Sequence, residues 1–326
     1  MPLAAQTMSM QLPAGTRPTT ASALPILVLV LAAVFAASGC SGRGGGPALP
    51  VDPRHPIIRV ASFDFVESQI LAELYGQALS HGGYPVQAIR ILGPREIVEP
   101  ALQQGKVDLV PEYLGSALDF LHQGERVATA DAAHTRALLA QAFQASGITV
   151  PAYARAQDQN GIVVTRQAAA THRLRRISDL ASLAQGLSFG GPPECAQRLL
   201  CLKGLQGVYG LAFKRFVSMP SFTVTAAALQ QKQIDVGMIV TTDGNLAKSG
   251  LVLLDDDRHL QPAENVVPVT RDQIMAAYGT SLTRLLNAVT AQLTTSDLIG
   301  LNQQAEQGGS PQVLAADWLR RHGLAR

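Results

Sequence analysis

The sequence predicts an α/β chain of two lobes, the second inserted into the first. Three observations carry this reading. From Ile57 onward, short apolar strands alternate with amphipathic helices, the pattern of parallel-rich sheets covered by helices. The alternation restarts with a new set of strands near Asp158. The chain has 326 residues, 47% apolar and 15% charged, which is enough to bury a core in each of two lobes.

The first lobe opens with the strand IIRVAS. Glu67 to His81 then places Ile70, Leu71, Leu74 and Ala78 at helical spacing. PVQAIRIL is a strand, and Pro94 to Gln104 is a helix with proline in its first turn. VDLV, 107–110, is a third strand, which Pro111 is expected to end. A helix starts at Gly115, another follows, and ITVPAY closes the segment. The second block carries strands GIVVT, GLSFGG and IDVGMIV and a helix over Thr223 to Gln233. ENVVPVT opens a third segment, helical from Arg271 onward, with breaks near Gly279, Thr295 and Gly308–Pro311. Residues 57–157 with 264–326 therefore form lobe I and 158–263 form lobe II. Two linkers cross between them, near 156–160 and 262–265.

The N-terminus reads as an export signal. Residues 1–22 carry one charge, Arg17, and ALPILVLVLAAVFAASGC is apolar from Ala23 and ends in small residues at Cys40. Ala37-Ser38-Gly39-Cys40 resembles a bacterial lipobox, which implies cleavage after residue 39 and a lipid on Cys40. An uncleaved membrane anchor is the other reading. Residues 40–56 are rich in Gly and Pro and read as a tether. The body is expected outside the cytoplasm, at the outer face of the cell membrane. There Cys195 and Cys201 form an even pair for a disulfide, with two buried thiols as the alternative.

Net charge of +2 gives no footprint for nucleic acid. The seven histidines show no i, i+3 or i+4 pair, so no helical metal site is expected. LDDDRH, 254–259, reads as a solvated turn and THRLRR, 171–176, as an exposed basic face. There is no G-x-S-x-G motif and no phosphate-binding loop, so neither an enzyme nor a cofactor is indicated. Loops rich in Gly, Pro and polar residues remain at strand ends: ASFDFVES with Asp64, VPEYLGSA, AQDQNG, FGGPPECAQR, IVTTDGN with Thr241, and PAENVV. Clefts between α/β lobes bind ligands at such ends.

RVASFDFVESQILAELYGQAL, LGPREIVEPALQQGKVDLVPEYLGSAL, GGPPEC with GLQGVYGLAF, and IVTTDG resemble the substrate-binding proteins of osmoprotectant ABC importers. These belong to the glycine betaine, choline and carnitine type. The resemblance spans about residues 57 to 322. It implies a type II periplasmic-binding-protein fold, a monomer closing on a small ligand, and a permease with ATPase subunits as partners. In that family an aromatic cage holds a quaternary ammonium, and basic and hydroxyl groups hold a carboxylate. Carried over, Tyr113 is a cage tyrosine, Ser116 a hydroxyl position, Arg198 the carboxylate-binding arginine and Asp158 an acid of the cage. The departures are Phe63, where the family carries lysine, and Asn160, Val240 and Glu264, where it carries cage tyrosines. A depleted cage leaves a betaine-type ligand and a different, hydroxyl-rich or aromatic ligand both open. Tyr153 and Tyr209 are alternative sources of rings, and a sensor without transport is a further alternative.

Overall fold

A computed structural model describes residues 55–123, 125–246 and 249–325. The export signal, Cys40 and nearly all of the tether lie outside the described residues. Among those described, no helix is long and apolar enough to cross a membrane.

The first sheet contains β1 (Ile58–Phe63), β2 (Val86–Gly93), β3 (Leu109–Tyr113), β4 (Ile148–Thr149) and β10 (Val266–Arg271), in the order β2-β1-β3-β10-β4. The second contains β5 (Asn160–Thr165), β6 (Ser188–Gly191), β7 (Arg215–Ser218), β8 (Val236–Val240) and β9 (Leu251–Leu253), in the order β7-β6-β8-β5-β9. The two sheets share one plan. Three neighbouring strands are parallel, and the fourth runs antiparallel to both of its neighbours. That fourth strand, β5 or β10, is the one on which the chain arrives from the other sheet.

Strand β3 departs from expectation. It begins at Leu109 and continues through Pro111, which faces Pro268 of β10. Neither ring has an N–H, so the two prolines share a position where the strands exchange no hydrogen bond. The ladder passes over them intact. β3 is therefore fully buried and delivers Tyr113 at its carboxyl end.

Helix α1 (Val66–His81) buries Ile70, Leu71, Leu74 and Ala78, as its spacing predicts. Helices α8 (Asp272–Gln292), α9 (Thr295–Glu306) and α10 (Pro311–Arg321) cover the first sheet, and Trp318 of α10 is 1% exposed in its core. α8 kinks at Gly279, whose φ of 61° suits glycine. Lobe II builds its own core on both faces of its sheet, around Phe189 and Leu205 on one and Ile239 and Leu229 on the other.

The crossings are paired with each other. Ala154 N donates to Val266 O at 2.8 Å, Val266 N to Ala156 O at 3.0 Å, and Asp158 N to Glu264 O at 3.2 Å. Gly115, in α3 (Leu114–Leu121), lies against the return crossing: a Cβ there would stand 2.3 Å from Pro262 Cγ.

Candidate functional site

A cleft of about 680 Å³ is lined by strand-exit loops of both sheets, by the crossings and by α9. This is the size and placement of a small-molecule site in an α/β protein. Lobe I contributes Asp64 to Glu67, which follow β1. It also contributes Arg95 at the start of α2 (Arg95–Gln103), Tyr113 from the end of β3, and Ser116. The crossings contribute Asp158, Gln159, Asn160 and Glu264. Lobe II contributes Pro192 to Glu194, Arg198, Pro220 to Thr223, Val240 and Asp243.

Tyr113 is positioned by what surrounds it. Its hydroxyl donates to Glu67 Oε1 at 2.6 Å. Glu67 also accepts from Thr242 Oγ1 and Asn302 Nδ2, both at 2.6 Å to Oε2. One buried carboxylate thus joins β3, the loop after β8, and α9. Burial pushes its proton affinity up, against the three donors that favour the charged form. The Tyr113 phenol is pushed well up too, by burial and by the Glu67 and Asp158 charges.

Asp158 accepts from Thr241 Oγ1 and Thr242 N, each at 3.2 Å on Oδ1. Burial and the Glu67 charge hold it well above the usual carboxylate range. Across the hinge, Glu264 accepts from Ser116 N at 3.0 Å and Ser116 Oγ at 2.7 Å. Burial pushes Glu264 up to about 7. At the floor, Arg95 forks onto Glu112 buried beneath it, at 3.0 and 2.9 Å. Asp64, Glu194, Asp243 and Glu306 bring the cleft's acids well above its two arginines.

The structure brings Asp64, Tyr113, Ser116, Asp158, Asn160, Arg198, Val240 and Glu264 together on this cleft. Phe63 and Thr241 are not among the lining residues. Phe63 is 2% exposed in the core, its ring stacked on Phe65 and under the Arg95 guanidinium, 5.0 Å away. Phe65, two residues on, is the ring that reaches the cleft. Thr241, half-buried beside Val240, accepts from Gln159 N at 2.9 Å and donates to Asp158 Oδ1 at 3.2 Å. Neither alternative tyrosine lines the cleft: Tyr209 is buried in lobe II with its hydroxyl on Asp256, and Tyr153 packs against the lobe I core.

Sequence reasoning missed Phe65, Glu67, Arg95, Phe222 and Asn302. Phe65 has a ring but lay one alternation beyond the residue chosen. Glu67 resembles any acid in a first helical turn, and Asn302 has no local signal.

Cys195 and Cys201 are bonded, closing a short loop after β6 that carries Arg198. Inside that loop, Leu200 O accepts from Asn160 Nδ2 at 3.0 Å and Gln261 Nε2 at 2.9 Å. Arg198 itself reaches Glu96 of lobe I at 3.3 Å and Glu194 at 3.8 Å. The LDDDRH turn is a staple: Asp256 accepts from Tyr209 Oη and from the N–H groups of Leu260 and Gln261.

The family described as "Substrate binding domain of ABC-type glycine betaine transport system" matches residues 56–321. The chain belongs to this family. Members of the family are substrate-binding components of transporters, not enzymes. A glycine-betaine-binding protein of Pseudomonas aeruginosa is 28% identical over 279 residues, covering 82% of this chain and 88% of the relative. The glycine betaine-binding protein YehZ of Escherichia coli is 27% identical over 301 residues, covering 86% and 94%. A solved glycine betaine/carnitine/choline ABC transporter protein superposes with a TM-score of 0.68 at 23% identity, covering 82% of this chain and all of that one. The two-sheet plan is thus the type II periplasmic-binding-protein fold expected from the family resemblance.

Proposed function

We propose that this chain is the extracytoplasmic solute-binding lipoprotein of an ABC importer. It holds a small organic solute of the osmoprotectant class between its lobes and delivers it to a permease. The observation that carries the reading is the cleft itself, where the rings of Phe65, Tyr113 and Phe222 stand among a surplus of carboxylates. Ring faces and acids are what hold an organic cation. The names of the relatives point to glycine betaine and choline as the first compounds to try. Asn160, Val240 and Glu264 bring no ring to the wall, which favours a second reading: the same transport role for a different small ligand.

Calorimetry of the purified chain against glycine betaine, choline and carnitine tests the class. Saturable one-to-one binding of at least one of them is expected, and none binding below millimolar concentration leaves only the second reading. Membrane fractionation tests the anchor: Cys40→Ser is expected to remove the lipid and release or misprocess the chain.

A further inference from the structure

Asn302 sits on the cleft wall, 8% exposed, and its Oδ1 is buried with no hydrogen-bond partner. Its amide cannot simply be turned over. Nδ2 donates to Glu67 Oε2 and to the Thr242 carbonyl at 3.0 Å, and a flipped amide would set oxygen against both acceptors. The orphan is therefore an acceptor, and a buried acceptor without a donor is costly. Glu67, which its Nδ2 touches, and Asp158, which shares Thr242 with it, are carboxyl groups, and Glu264 adds another from the hinge. The ring side is thin by comparison. Tyr113 is 5% exposed and its hydroxyl is spent on Glu67, so Phe65 and Phe222 supply most of the open ring surface.

The basic groups are engaged. Arg95 forks onto Glu112, and Arg198 lies between Glu96 and Glu194. A ligand carboxylate would have to displace an existing partner from either arginine.

We propose that the cleft takes a small organic cation that donates N–H hydrogen bonds, an amine without a carboxylate, in preference to a fully methylated ammonium or a zwitterion. This rests on the reading of the cleft as the ligand site. A trimethylammonium offers no donor to Asn302 Oδ1 or the acids around it. An amine of equal charge satisfies them and still lies against Phe65 and Phe222.

The test is one series at constant charge: choline, N,N-dimethylethanolamine, N-methylethanolamine and ethanolamine, titrated calorimetrically into the full chain beside glycine betaine and carnitine. The tightest member is expected to carry at least one N–H and to bind about tenfold tighter than choline, the worth of one net hydrogen bond to a charged group. Asn302→Leu, checked for folding by its thermal transition, is expected to shrink that preference toward unity. Choline binding tightest, with affinity falling at each lost methyl, overturns the inference and leaves the cleft reading standing. Binding of betaine or carnitine alone has the same consequence. Binding by none of the six overturns both.

Discussion

Glu264 shows how one residue changes the character of the site. At a position where the family resemblance implies a tyrosine, it places a carboxylate on the return crossing, clasped by Ser116. Glu264 and Glu99 are both pushed up to about 7, chiefly by burial, and Glu67 and Asp158 are raised as well. Their folded forms bind protons that the unfolded chain has already lost above the ordinary glutamate value of 4.5. Stability should therefore fall as pH rises above about 4.5, and the contribution of Glu264 and Glu99 is lost by about pH 7. Asp179, Asp257 and Asp297 are shifted down and act oppositely, but their contribution is complete above the ordinary aspartate range. Thermal unfolding of the ligand-free chain at pH 5 and pH 7.5 checks this: a higher transition at pH 5 is expected, with a smaller difference in Glu264→Gln. Arg95→Ala tests the layer beneath. It would leave Glu112, 0% exposed, without its ion partner, at a cost of about 3–5 kcal/mol in denaturant unfolding. Little of this was legible in the sequence. Tyr113 announced itself as an aromatic at a strand end, whereas Glu67 and Asn302 acquire meaning only when elements far apart in the chain meet.

At the level of elements, the sequence was most legible where burial is two-sided. β1, β5 and β8 read as apolar runs because both of their faces are covered. β7, an edge strand with exposed ends, lacks such a run, and β9, apolar throughout but three residues long, is too short to stand out; both passed unread. Pro111 misled in the other direction. Proline ends a strand only where its N–H is needed, and no local sequence shows that Pro268 lies opposite. The disulfide loop can be probed by itself. Replacing both Cys195 and Cys201 with serine should cost about 2 kcal/mol by the chain-entropy argument for so short a loop. It should also loosen Leu200, and with it the hold on Asn160. Denaturant unfolding measures the first effect, and proton exchange of the Asn160 side-chain amide the second.

For the whole molecule, α9 and the paired crossings tie the lobes together. Asn302 reaches the Thr242 carbonyl and Gln303 the Gly244 carbonyl, so a helix of lobe I braces the loop after β8. Gly115→Ala should strain this region, because the new methyl would meet Pro262 and the Ala263 carbonyl on the return crossing. A lower thermal transition is expected, together with altered ligand affinity although the side chain touches no ligand. The pairing of the crossings has a mechanical consequence. Asp158 and Glu264 lie on facing backbone positions of the pivot. When two rigid arms swing about an axis, displacement grows with radius, so groups on the axis hardly travel. A solute would meet the same two acids whether the arms are apart or together, whereas Phe222, which follows the edge strand β7 three strands away from β5, would travel with its arm. Changes at the pivot are then expected to alter how firmly a solute first lodges, and changes at Phe222 how long it is kept.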